Sequence, residues 1–251
     1  MRSNTSWSPV ADWYGKIVGS SGHYFHQHVI LPGLKKLINL KIGEKVLDVG
    51  CGQGVYARAI DSRVSYIGVD ISEKLIEEAR RLDKNKRHTY IVADARQSLP
   101  VPPQGFDHVV SILALQNIED AAGAIANMVS TATIGGDITL VINHPCFRIP
   151  RQSSWGVDDT QKLEYRRINR YMSPLKIPIN AHPGDEKSPI TWTFHEPLSY
   201  YINALTTAGC VVNACEEWVS DKESQGKARM RENRARSEFP LFLTLQAIRL
   251  R

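Results

Sequence analysis

Residues 46–54 read Val-Leu-Asp-Val-Gly-Cys-Gly-Gln-Gly, and this stretch decides the fold. An apolar run ends in an acid and is followed by closely spaced glycines. A second apolar run, residues 66–69, ends in Asp70, sixteen residues after Gly54. A strand, a glycine turn, a helix and a second strand with a terminal carboxylate form one half of a nucleoside-binding, doubly wound sheet. The stretch therefore predicts an α/β fold.

The composition is that of a globular protein without a membrane span. The chain has 251 residues, of which 42% are hydrophobic and 23% charged, so it is long enough for one large domain with an insertion. No apolar run approaches the roughly 20 residues that cross a bilayer, and the polar start lacks the features of a secretion signal. The net charge of +5 is compatible with an anionic ligand or RNA but does not establish either.

The cysteines predict a reduced protein. None of the four belongs to a CxxC pair; they are Cys51, Cys146, Cys210 and Cys215. This spacing favours a cytoplasmic location and argues against a zinc site. His26 and His28 form an HxH pair, but no third ligand follows at a suitable spacing, so we expect no metal.

Strand and helix patterns alternate through the first half of the chain. Strands are predicted at 45–49, 65–69, 88–92, 108–113 and 137–143, and helices at 54–60, 72–82 and 120–131. Strict alternation predicts a parallel sheet covered by helices on both faces. Before this core, residues 7–40 carry apolar residues at helical spacing, with Pro32-Gly33 as an expected kink or break.

The alternation stops after Asn143. Residues 144–196 are rich in proline and aromatic residues and have no clean periodicity, which predicts a functional insertion, or lid, after the fifth strand. A helix is predicted at 197–208, a strand at 211–219, a charged connection at 220–238 and a final strand at 239–248. We therefore expect one domain, 1–251, with a helical cap (1–40), a cofactor-binding core (41–143), the lid (144–196) and the rest of the sheet (197–251).

The glycine turn suits a nucleoside with a charged tail. Glycines let the backbone approach a ligand without intervening side chains, and the following helix start can offer free N–H groups. Asp70 is placed to accept two ribose hydroxyls. Dinucleotide sites usually carry G-x-G-x-x-G, but Val55 occupies the position of the last glycine, so the pattern is G-x-G-x-G.

With this pattern, residues 41–143 strongly resemble the class I S-adenosylmethionine-dependent methyltransferases. The resemblance implies a Rossmann-like, seven-stranded, mostly parallel sheet whose last strand runs antiparallel between the fifth and sixth. It implies S-adenosylmethionine as cofactor and S-adenosylhomocysteine as product. The residues it assigns to the cofactor are Asp48, Gly50, Cys51, Gly52 and Gly54 at the methionine end, Asp70 at the ribose, Ile71, Asp94 and Ala95 at the adenine, and Leu113 beside the sulfonium. The alternatives are that Asp48 only stabilises the turn and that Asp94 is a surface-loop acid.

Acceptor residues are harder to assign. His144 follows the fifth strand, where it is either a base or substrate-orienting group near the methyl or a histidine hydrogen-bonded to loop backbone. His26 is the second candidate catalytic residue. Side chains expected to contact the substrate are Tyr24, Arg148, Tyr171 and His195. The His144-Pro145 pair and residues 193–201 resemble the ubiquinone/menaquinone and type 11 branch, which methylates small molecules.

Alternative functions remain open. The leading hypothesis is methyl transfer to a small molecule held under the lid. An RNA or protein methyltransferase is the alternative, because spaced arginines at 229, 231, 234 and 236 could follow phosphates. A non-catalytic binding module is disfavoured by the intact glycine turn and by the acids at the ribose and adenine positions.

Overall fold

The computed structural model describes residues 10, 13, 15, 18, 19, 21–180 and 188–251. The start of the expected helical cap and residues 181–187 of the expected lid lie outside the described residues. In chain order the strands are β1 (Lys45–Val49), β2 (Ser65–Asp70), β3 (His88–Val92), β4 (Phe106–Ile112), β5 (Ala132–Asn143), β6 (Ser153–Asp158), β7 (Leu163–Ile168), β8 (Leu175–Asn180), β9 (Ile190–His195), β10 (Cys210–Trp218) and β11 (Phe242–Arg249). The α-helices are α1 (Leu31–Leu37), α2 (Glu73–Leu82), α3 (Ala121–Thr131), α4 (Leu198–Thr207) and α5 (Arg229–Glu238).

A seven-stranded sheet forms the centre of the molecule, in the order β10-β11-β5-β4-β1-β2-β3. β1 pairs in parallel with β2 and β4, while β11 runs antiparallel between β5 and β10. The expected mostly parallel, Rossmann-like sheet is confirmed. Because the order reverses beside β1, the carboxyl ends of β1, β2 and β4 surround a crevice, which is where ligands bind in this class of sheet.

Both faces of the sheet are covered. Successive side chains of a strand point to opposite faces, so Leu47 and Val49 join the cluster under α3 and α4, whereas Val46 joins the cluster under α1 and α2. Gly33 lets α1 lie directly on β10, since a Cβ there would stand 2.5 Å from the Trp218 ring.

Helix starts follow the sequence closely. The Asp120 side chain accepts the Gly123 N–H at 2.8 Å and caps α3, and Ser72 caps α2 by accepting the Leu75 N–H at 3.5 Å. Such caps satisfy N–H groups that the first helical turn leaves unpaired.

The prediction of a helix at 54–60 is wrong. Only a single 3₁₀ turn forms there, Ala57–Ala59, and the backbone is extended again at Ile60. Gly50, Gly52 and Gly54 all adopt positive φ angles, so right-handed helix cannot begin before residue 55. Too few residues remain for a full α-helix.

The insertion is more ordered than the sequence suggested. It contains two antiparallel hairpins, β6–β7 and β8–β9, each separate from the main sheet. The connection 220–238 also contains an unpredicted helix, α5, which buries only Ala235. The final strand begins at Phe242 rather than at Phe239, which is the C-cap residue of α5 and packs against Phe147 and Trp155.

No break interrupts the helical backbone at Pro32-Gly33. One wide π-helical turn, His26–Ile30, passes directly into α1, whose second residue is Pro32. In the part of the chain that the structure describes, we find no helix with the length and apolar character that a bilayer crossing requires.

Candidate functional site

A cavity of about 360 Å³ opens at the carboxyl ends of β1, β2 and β4. Its wall combines the glycine turn, the loops after β2, β3 and β4, the π-helical segment and the hairpin β8–β9. The lining residues include His23, Phe25, His26, Gly50, Gly52, Asp70, Ile71, Asp94, Ala95, Arg96, Leu113, Gln116, Asn117, Ile118, Asn143, Arg148, Pro150, Ile179, Thr193 and Phe242. The cavity therefore lies in the crevice that the strand order predicts.

The glycine turn has a backbone that only glycine adopts readily. The φ angles of Gly50, Gly52 and Gly54 are 79°, 54° and 74°. A Cβ on Gly50 would overlap the Ala114 methyl, and one on Gly54 would stand 2.6 Å from the Tyr90 hydroxyl. These glycines thus fix the turn and bring its backbone to the cavity wall.

Asp70 is held at the end of β2 by backbone amides. Its carboxylate accepts the Gly52 N–H and the Ser72 N–H, both at 2.9 Å. Burial raises the pKa of Asp70, and these amide hydrogen bonds oppose the rise. An oriented carboxylate on the cavity wall suits two adjacent ribose hydroxyls.

Asp48, Cys51 and Gly54 do not form part of the cavity wall, so the structure does not place them against a bound methionine end. The buried Asp48 carboxylate accepts the Tyr66 hydroxyl at 2.7 Å. Burial raises the pKa of Asp48 to about 7, although the Tyr66 hydrogen bond pulls it down. Asp48 acts from behind the turn, supporting it.

The adenine-side residues lie together. Ile71 and Leu113 provide apolar surface, and Asp94 follows β3 and receives a paired hydrogen bond from Arg96, with Nη2 2.7 Å from Oδ2. Leu113 has a φ of 55°, a left-handed conformation that costs a non-glycine residue free energy. Its carbonyl accepts the Gln116 Nε2–H at 2.9 Å, which helps to hold this backbone in place.

His26 reaches the cavity from the π-helical turn. It is 7% exposed, and neither ring nitrogen has a hydrogen-bond partner among the described residues. Burial, and then the charge of His23, lower the pKa of His26 to about 4. The imidazole is therefore neutral at physiological pH and can donate a hydrogen bond to a bound molecule or accept one from it.

His144 does not face the cavity, contrary to one of the two expectations from the sequence. Its Nε2 lies 2.6 Å from Glu217 of β10, and its Nδ1 accepts the Cys146 N–H at 3.2 Å. With both nitrogens engaged, His144 fixes the turn after β5, which corresponds to the alternative in which it is bonded to its own loop. We withdraw it as the candidate base.

The residues expected to contact the substrate do not lie together in the structure. Arg148 lines the cavity, and with His195 it also borders a second, smaller one. The Tyr171 hydroxyl accepts the Leu198 N–H at 3.1 Å, and the His195 ring donates to the Tyr171 carbonyl at 2.7 Å, so Tyr171 is structural. Tyr24 bonds Asp221 at 3.1 Å and lies outside the wall, because its ring stacks on His28 instead.

Several residues of the cavity wall were not assigned to the site from the sequence. They are His23, Phe25, Asn117, Asn143, Ile179, Thr193 and Phe242. Thr193 donates to the Gln116 carbonyl at 3.0 Å, which ties β9 to the loop after β4. Threonines at alternate positions of a strand do not by themselves indicate a binding site. The place of Thr193 in the cavity wall follows only from the pairing of β8 with β9.

Comparisons with known proteins point to one family. A methyltransferase domain family matches residues 46–136. The chain is 31% identical over 169 residues to an uncharacterised methyltransferase of Mycobacterium tuberculosis, covering 66% of this chain and 79% of that one. It is 30% identical over 155 residues to a demethylmenaquinone methyltransferase of Staphylococcus saprophyticus, covering 60% and 62%.

One solved methyltransferase structure supports this family. An S-adenosylmethionine-dependent methyltransferase from Mesorhizobium loti superposes with a TM-score of 0.69 at 26% identity, over 87% of this chain and 96% of that one.

Proposed function

The chain belongs to the class I S-adenosylmethionine-dependent methyltransferases, and we propose that the acceptor of its methyl group is a small molecule bound beneath the hairpin β8–β9. The proposal rests on the shape and lining of the cavity. The cavity is a recess whose wall combines the cofactor turn with Ile179 of β8 and Thr193 of β9. A bound small molecule would lie against both.

The cofactor side fits an adenosyl group. Asp70 offers an oriented acceptor for ribose hydroxyls, and Ile71 and Leu113 offer apolar surface for a purine. When bound, S-adenosylmethionine supplies a methyl group made electrophilic by its positively charged sulfur. The chain's contribution is to bind that group and to hold a nucleophile in line with it.

The acceptor side is mostly apolar. Phe25, Ile118, Ile179 and Phe242 would exclude water from a bound acceptor. The neutral His26 would accept a hydrogen bond from an acceptor hydroxyl or amine and so orient it. The demethylmenaquinone methyltransferase relative is also named for a small molecule, which supports this class.

The RNA or protein alternative rests on the arginines of α5, and most of these have structural partners. Arg231 pairs with Asp159 at 2.9 Å, Arg236 donates to Ser224 at 2.9 Å, and Arg234 donates to the Lys162 carbonyl at 3.4 Å. They tie α5 to the hairpin β6–β7 and to the loop before α5. We therefore favour the small molecule, and we place the activity in the cytoplasm, where cysteines stay reduced.

The test follows the label from methyl-tritiated S-adenosylmethionine. The purified full chain is incubated with an extract of the organism that makes it, and the extract is then separated into low-molecular-mass, RNA and protein fractions. We expect enzyme-dependent label in the low-molecular-mass fraction only. Asp70→Ala should abolish that label by weakening cofactor binding. Label in RNA or protein, or in no fraction, would contradict the proposal.

A further inference from the structure

We infer that the methyl acceptor carries a carboxylate and that Arg148 binds it. The inference rests on the proposed function, because it assigns a charge to the small molecule that the site accepts. It begins with the charged side chains of the large cavity. Apart from histidines, the wall carries four: Asp70, Asp94, Arg96 and Arg148.

Three of these four side chains already have partners within the chain. Asp70 accepts two backbone amides, and Arg96 is paired with Asp94. The Arg148 guanidinium has no hydrogen bond or ion pair with any residue that the structure describes. An unmatched guanidinium on the wall of a largely apolar cavity is a binding group for an anion.

The surroundings of Arg148 leave its charge unbalanced. Arg148 is exposed as a whole residue, and partial desolvation of its guanidinium at the cavity wall lowers its pKa. Arg166 is a neighbouring cation, and its own pKa is lowered by burial and by the charge of Arg148. Arg166 donates to neutral oxygens, the Phe147 carbonyl and the Ser153 hydroxyl, both at 2.8 Å. A bound anion would reduce the repulsion between the guanidinium groups of Arg148 and Arg166.

The position of Arg148 is fixed by the turn after β5. Its N–H donates to the His144 carbonyl at 2.8 Å, and His144 is itself held by Glu217. Arg148 borders both cavities beside Thr193 of β9, on the acceptor side of the site. The turn therefore places residue 148 beside the acceptor side of the site, where its side chain borders both cavities.

A carboxylate is the anion that fits best. Among the wall residues that the structure describes, Arg148 is the single cation without a partner, and it balances one negative charge. A phosphate monoester carries between one and two charges near neutral pH and has three acceptor oxygens to satisfy. The planar guanidinium also matches the two oxygens of a carboxylate, and the apolar wall beyond it accepts a hydrocarbon or aromatic body.

The test compares acids with their uncharged amides. Benzoate, 4-hydroxybenzoate, trans-cinnamate and decanoate, each with its matching carboxamide, are titrated calorimetrically into the full chain saturated with S-adenosylhomocysteine. We expect at least one acid to bind about tenfold more tightly than its amide, as a charge-assisted hydrogen-bond pair requires. Phenyl phosphate should bind more weakly than benzoate.

Variants assign the effect to Arg148. Arg148→Gln should remove the preference for the acid, and Arg148→Lys should keep part of it because the charge remains without the fork. Arg167→Gln is the matched control, since Arg167 is an exposed cation of β7 that does not line either cavity. It should bind the acids as the wild type does. All variants should keep the wild-type affinity for S-adenosylhomocysteine.

Four results would overturn the inference. They are equal binding of every acid and its amide, a preference that survives Arg148→Gln, tighter binding of phenyl phosphate, and a loss of S-adenosylhomocysteine affinity in Arg148→Gln. The last would assign the guanidinium to the cofactor's own carboxylate while leaving the proposed function intact. A macromolecular destination for the tritium label would instead contradict the proposed function, and this inference would fall with it.

Discussion

Gly50 illustrates how one residue decides whether the site forms. It combines a left-handed backbone with a neighbour, Ala114, that leaves no room for a side chain. Ala114 follows Leu113, whose own left-handed backbone brings the loop after β4 against the turn after β1. The contact between these two loops forms the floor of the cavity.

Replacing Gly50 by alanine should therefore destabilise the protein more than strain alone would. Gly43→Ala is the matched control, because Gly43 also has a positive φ but has open space around its Cα. Both variants should lose about 1–2 kcal/mol from the left-handed conformation. Gly50→Ala should lose roughly a further 1–3 kcal/mol from overlap with Ala114. Urea unfolding measures both, and equal losses would show that the steric contact is unimportant.

Single residues were predictable from the sequence where their role depends on local spacing. Asp70 and the glycines stand at fixed distances within one strand–turn–strand unit, so the pattern alone placed them at the site. His144 depends on Glu217, a residue 73 positions later in the chain. Only the antiparallel return of β11 between β5 and β10 fixes the position of Glu217 relative to β5, and no local pattern records that.

At the scale of elements, apolar periodicity decided what could be predicted. Strands β1 and β3 match their expected bounds; β1 is a buried run, whereas β3 buries only Tyr90. Helix α5 has almost no buried face, and the hairpin β6–β7 buries no residue fully, so neither showed the expected apolar period. Strand β9 does alternate, but the side chains it buries are the polar Thr191, Thr193 and His195, so its apolar pattern did not indicate which face is buried. The helix predicted at 54–60 was wrong for a different reason, because the backbone conformation there overrode the apolar pattern.

The amino ends of the strands are joined by a charged cluster. His108 of β4 lies 3.1 Å from Glu44, which precedes β1, and 3.3 Å from Asp137 of β5. Burial alone would lower the pKa of His108, but the interactions with Asp137 and Glu44 outweigh it and raise the pKa above its ordinary value. The protonated ring is thus bound more favourably in the folded state than in the unfolded state.

This cluster predicts a pH-dependent contribution to stability. Because the folded pKa is raised, the contribution should be full below the unfolded pKa, about 6.5, and should disappear as the pH rises through the folded value. Comparing the free energy of unfolding of wild type and His108→Gln across that range isolates this histidine. The advantage of the wild type should shrink as the pH rises, and a constant or growing advantage would contradict the assignment.

At the scale of the whole molecule, cofactor binding and folding are linked. The residues that would hold the adenosyl group come from the ends of β1, β2, β3 and β4, so the site exists only when the sheet is assembled. A ligand that binds only the folded chain adds its binding free energy to the stability of every element.

S-adenosylhomocysteine should therefore raise the melting temperature of the chain. At a concentration one hundred times its Kd it contributes about 2.7 kcal/mol. For a protein of this size that corresponds to a rise of roughly 5–10 °C. Differential scanning calorimetry of wild type and Asp70→Ala at one ligand concentration gives the comparison. The variant should show less than half of the wild-type shift, and an equal shift would exclude Asp70 from the binding site.

The placement of β11 has a consequence for synthesis on the ribosome. This strand is the last in chain order, yet it fills the gap between β5 and β10. Until residues 242–249 leave the exit tunnel, β5 presents an open edge to its surroundings and β10 has no partner. The nascent chain is therefore open to edge-to-edge association until β11 inserts between β5 and β10.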